Sequence, residues 1–84
     1  MATREIVLWN GVSSQNRPKL IRMARERMGL YLSHLSELSG YSSGHLSKLE
    51  NGSARLTKGA FLKIMKALHD YEAEQIGLKE ARDG

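Results

Sequence analysis

The residues that decide the fold are Leu32-Ser33-His34-Leu35-Ser36-Glu37-Leu38-Ser39-Gly40-Tyr41-Ser42-Ser43-Gly44-His45-Leu46-Ser47-Lys48-Leu49-Glu50-Asn51-Gly52. The first part has helical spacing, with Leu32, Leu35, Ser36 and Ser39 on one face. Gly40 stands where the chain can enter a left-handed turn, and the Ser42 hydroxyl can cap a second helix. That helix spans Ser43 to Asn51, turns Leu46 and Leu49 inward and stops at Gly52. About three residues separate the two helices, too few for anything but a tight, steep corner.

Working outward, Leu20, Ile21, Ala24 and Met28 give a preceding helix from Pro18, which suits a first turn, to a stop at Gly29. Thr57 caps a fourth helix whose core face is Phe61, Leu62, Ile64, Met65 and Leu68, with Lys58, Lys63 and Lys66 outside. Asp70 is expected to cap a fifth, from Tyr71 to about Arg82, with Tyr71, Ile76 and Leu78 as its apolar positions. Residues 3 to 9 are β-prone and lead into Asn10-Gly11, a dipeptide suited to a tight turn, so a short strand or extended arm is expected there. The expected fold class is all-α, a five-helix domain with that arm: 1–17 arm, 18–69 central domain, 70–84 acidic helix.

From Gly29 to Gly52 the chain resembles the Cro and lambda-repressor-like helix-turn-helix family, also called the XRE family, and the likeness covers about residues 18–68. Its most specific part is the Gly-x-Ser turn followed by Leu46-Ser47-Lys48-Leu49-Glu50-Asn51-Gly52. The resemblance implies that the second motif helix enters the DNA major groove, with Ser43, Gly44, Ser47 and Lys48 at the base-facing positions. Lys48 can donate to guanine, while the serines discriminate weakly. Matching positions imply phosphate contacts at Ser33, His34, His45, Asn51, Ser53, Arg55 and Lys58. They also imply an ion pair between Arg25 and Glu50. In one departure, Tyr31 and Leu32 stand where the family commonly has Thr or Ser and then Gln, so the usual cap and phosphate-clamping Gln are missing.

Composition fits this implication. Residues 1–69 hold eleven Lys and Arg against four Glu, a net +7, while the last fifteen residues carry −3. A basic body favours a polyanion, nucleic acid before anionic membrane. Eighty-four residues leave no room for a two-domain enzyme, and the absence of Cys excludes disulfides, thiolate zinc sites and a Cys nucleophile. Gly40-Tyr41-Ser42-Ser43-Gly44 matches the hydrolase elbow G-x-S-x-G, but a helix precedes it and no sheet can follow. His34, His45 and His69 lack the one-turn spacing of a helical metal pair. Asn51-Gly52-Ser53 has the form of a glycosylation sequon without secretory context.

The expected function is therefore non-enzymatic: a DNA-binding transcriptional regulator, a repressor acting as a homodimer on a palindromic double-stranded operator. Expected location is the cytoplasm of a bacterium or a phage-infected cell, at the nucleoid when bound. No cofactor, metal, membrane or small-molecule ligand is expected. Candidate dimerisation residues are Ile6, Val7, Leu8, Trp9, Tyr71 and Ile76; the Ile6–Trp9 run either folds onto its own core or pairs with a second subunit as an edge strand. The alternative is an adaptor or antitoxin-type module that holds a protein partner through the arm or the last helix.

Overall fold

The computed structural model describes residues 3–83, with side chains through Gly77. Among these residues there are five α-helices and no strand: α1 (Arg4–Gly11), α2 (Arg17–Arg27), α3 (Leu32–Ser39), α4 (Ser43–Asn51) and α5 (Lys58–Asp83). Phe61, Ile64, Met65 and Leu68 of α5 form the centre of the core, each at most 2% exposed, and meet Ile21 of α2, Leu35 of α3, and Leu46 and Leu49 of α4. Each such side chain contributes roughly 1.5–3 kcal/mol by leaving water. α5 packs against α1, α2 and α3, while α4 lies across α2 and α3.

Local chemistry sets the helix ends. Pro18 occupies the first turn of α2, where its missing N–H costs nothing. Thr57 Oγ1 accepts from the Ala60 N–H at 3.2 Å to start α5. Gly40 ends α3 at φ 83° and Gly52 ends α4 at φ 82°, both in the left-handed region where a Cβ is strained.

The N-terminal segment differs from the strand or extended arm expected of it: Arg4–Gly11 is a helix. Thr3 Oγ1 caps it by accepting from the Ile6 N–H at 3.3 Å, and Asn10-Gly11 forms its last turn, not a hairpin. The reason is tertiary. A lone strand here would leave its backbone groups without a partner, whereas a helix satisfies its own and places Leu8 and Trp9 together against the core. Trp9 meets Phe61 with ring centroids 5.3 Å apart. The Arg17 guanidinium lies over the indole, 3.6 Å from its centre, and donates to the Trp9 carbonyl from Nε and Nη2 at 3.1 and 2.7 Å.

A second difference lies at Asp70. It does not start a new helix, because α5 continues through it as one rod of 26 residues, about 39 Å long. The Asp70 carboxylate accepts from Lys66 at 2.9 Å, one turn back, and so supports the helix it was expected to interrupt. The apolar position expected at Leu78 lies outside the described side chains.

Candidate nucleic-acid interface

The seat of α4 is built from its inward face. Leu46 and Leu49 are sealed in the core, and Glu50 beside them is also buried. A buried carboxylate needs a partner. Arg25 of α2 supplies it as a two-pronged clamp, Nε to Oε2 at 2.8 Å and Nη2 to Oε1 at 2.9 Å, while Nη1 reaches the Leu30 carbonyl at 2.8 Å. The hydrogen bond to Glu50 raises the Arg25 pKa still further, so the guanidinium keeps its charge. Among the described residues no buried side-chain N or O lacks a hydrogen-bond partner. The clamp fixes α4 against α2, and Ser42 fixes its start by accepting from the His45 N–H at 3.2 Å.

The opposite face of α4 points to solvent. Gly44, His45, Lys48 and Asn51 are exposed, and Ser43 and Ser47 are half-buried. The structure thus brings Ser43, Gly44, Ser47 and Lys48 onto one accessible surface. A Cβ built on Gly44 would meet nothing within 4 Å, so this glycine is not imposed by crowding inside the chain. Among the described residues no carboxylate pairs with Lys48, Arg55 or Lys58, and all three are exposed. The α2 arginines are placed differently: Arg22 pairs with Glu26 at 2.8 Å, Arg25 with Glu50, and Arg27 with Glu72 at 3.2 Å.

The remaining candidates have local duties as well as exposure. His34 Nδ1 accepts from the Tyr31 N–H at 3.2 Å, and the two rings stack at 5.6 Å. His34 thereby covers one open donor at the start of α3. Ser33 is exposed in the same first turn. Asn51 Oδ1 accepts from the Ser53 N–H at 2.9 Å, which shapes the exit from α4. A further group at the entrance to α4 comes from α5: Lys63 Nζ lies 5.2 Å from the Tyr41 ring centre, and that ring packs on His45 at 5.6 Å. Helical periodicity placed Lys63 outside the core, but nothing local links it to a turn some twenty residues earlier.

The candidate dimerisation residues divide. Ile6 is half-buried, and Leu8, Trp9 and Tyr71 are partly buried against the core, while Val7 is 58% and Ile76 52% exposed. No group of three or more His, Asp or Glu residues among those described could hold a metal ion. No helix described is long and apolar enough to cross a membrane.

A comparison with protein families agrees with this geometry: the helix-turn-helix domain family matches residues 19–74, about two thirds of the chain. Neither the curated proteins nor the solved structures gave a match. With α3, the Gly40 turn and α4 all inside the matched span, the chain belongs to the helix-turn-helix domain family of DNA-binding modules.

Proposed function

We propose that this chain is a sequence-specific transcriptional regulator of the Cro and lambda-repressor-like (XRE) type, a non-enzymatic repressor that binds a palindromic operator as a homodimer. The observation that carries the reading is the outer face of α4, where exposed Lys48 lies beside half-buried Ser43 and Ser47, with no carboxylate paired to it among the described residues. In this reading α4 lies in the major groove. Lys48 reads a guanine edge, Ser43 and Ser47 add weaker contacts, and Gly44 lets the backbone approach. Ser33, His34, His45, Asn51, Ser53, Arg55 and Lys58 hold phosphates and set the register. Two copies place their α4 helices about 34 Å apart, in successive major grooves. Exposed Ile76 on the far part of α5 supports a contact between copies.

Selection of binding sites from random duplexes, followed by titration of the selected site over a range of salt, tests the whole reading. A palindrome bound by two chains, with affinity falling steeply as salt rises, is expected. Lys48→Ala should cut the preference for that site by about tenfold, near 1.4 kcal/mol, while Lys58→Ala should weaken all duplexes alike. An unchanged preference after Lys48→Ala would remove Lys48 as a base reader, and one chain per duplex would remove the dimer.

A further inference from the structure

Behind the exit from α4 lies an open groove of about 670 Å³. One wall is the loop between α1 and α2, with Ser14 and Gln15, and the first residue of α2, Arg17; the other is the segment between α4 and α5, with Arg55, and the first residue of α5, Lys58. The groove begins at Gly52, the residue that ends α4. Among the described residues no acidic side chain lines it. The loop wall is folded, because the Ser13 carbonyl accepts from the N–H groups of both Asn16 and Arg17, at 2.9 and 3.1 Å. Arg17 is held on Trp9, while Ser14, Gln15, Arg55 and Lys58 are exposed.

Three cations, two hydroxyls and an amide, with no carboxylate among the described lining residues, are suited to a chain of phosphodiesters. Their position matters as much as their charge, since the strand that borders a major groove runs past the ends of a helix inserted there. We propose that Ser14 and Gln15 on one side, and Arg55 and Lys58 on the other, grip one sugar-phosphate strand of the duplex between them. This rests on the DNA-binding reading above and extends it: α1 and its loop lie outside the matched residues 19–74, so one wall of the grip is supplied by a segment that the family match does not include. α1 then serves DNA binding by carrying the loop, and Trp9 and Arg17 are positioning residues.

Charge steps at Ser14 test this, read by duplex titration at several salt concentrations. Ser14→Asp should weaken binding to selected and random duplexes equally, by about tenfold, and Ser14→Lys should tighten both and steepen the salt dependence by about one counterion. A gain with Lys cannot come from misfolding. Val7→Glu makes the same charge change as Ser14→Asp on the exposed side of α1 and should shift affinity less than twofold. Equal losses from Ser14→Asp and Val7→Glu would overturn the grip in favour of general repulsion. So would a loss of affinity in Lys58→Ala with no response to either change at Ser14, which leaves the DNA-binding reading standing. A wild-type chain that binds no duplex would defeat both.

Discussion

Between α2 and α4 the contact is closed by two charges, Arg25 and Glu50, whose side chains are only 12% and 6% exposed. Between α1 and α5 it is closed by an aromatic pair, Trp9 on Phe61, and by Glu5 and His69, 3.1 Å apart and 13% and 9% exposed. Both seams hide polar groups beside apolar ones, yet they respond to different insults. The first is directional: a bidentate clamp allows one orientation of α4 and fails badly if half of it is removed. The second is mostly packing area with a titratable hydrogen bond at its edge, so it loosens by degrees. The helix assigned to base reading is thus set rigidly, and the helix that carries the proposed second wall is set more softly.

The largest expected effect breaks the first seam. Arg25→Ala leaves Glu50 buried without its partner and the Leu30 carbonyl without a donor, and should cost about 3–5 kcal/mol in urea unfolding. Glu50→Ala should cost a similar amount. Replacing both, with Arg25→Met and Glu50→Leu, should recover most of that stability, because no buried charge remains. If the double variant also keeps full preference for the selected DNA site, the clamp does not orient α4, and the contrast between the seams reduces to one of energy.

Next in size is the aromatic contact of the second seam. Trp9→Ala should cost about 2–3 kcal/mol, less than a fully buried Trp because the indole is only partly enclosed. It also strips Arg17 of the ring it covers. Amide exchange should then rise across α1 while α3 and α4 stay protected. Equal loss of protection in α4 would mean that the two seams are one cooperative unit.

What was legible in the sequence follows the same division. The α3-turn-α4 unit is written in adjacent residues: Gly40 for the turn, Ser42 for the cap, Gly52 for the stop, with Leu46 and Leu49 one turn apart. Each acts within a few positions, so local chemistry was enough. α1 was not legible, because Ile6, Val7, Leu8 and Trp9 taken alone favour a strand; the partners that make them a helix, Phe61 and Arg17, lie far along the chain or across a turn. Asp70 misled for a related reason. A carboxylate before an apolar run can begin a helix, but Lys66 one turn earlier gives it a place inside one. At the candidate interface, the α4 positions came from the motif, whereas Lys63 near Tyr41 and the groove at Ser14 exist only after α1 and α5 have packed.

The smallest effect concerns Glu5, and it sharpens the claim that the second seam is the adjustable one. Burial alone would push its carboxyl up; a hydrogen bond from its own backbone N–H, the hydrogen bond with His69 and the charge of that ring outweigh burial and leave it below its usual value of 4.5. The native state therefore binds this proton less readily than the unfolded chain. The corresponding stability is present above the ordinary carboxylate range and disappears as pH falls through the lowered native value. Glu5→Gln should cost about 1 kcal/mol at pH 7, the scale of one partly exposed charge-assisted hydrogen bond. The gap between wild type and Glu5→Gln in urea unfolding should narrow below about pH 4.5 and close in stronger acid. Acid acts on every carboxylate in both proteins, but only this difference isolates Glu5. A gap that stayed constant from pH 7 down to pH 3 would show that the α1–α5 seam draws nothing from the ionised carboxylate, and that aromatic packing alone holds α1 in place.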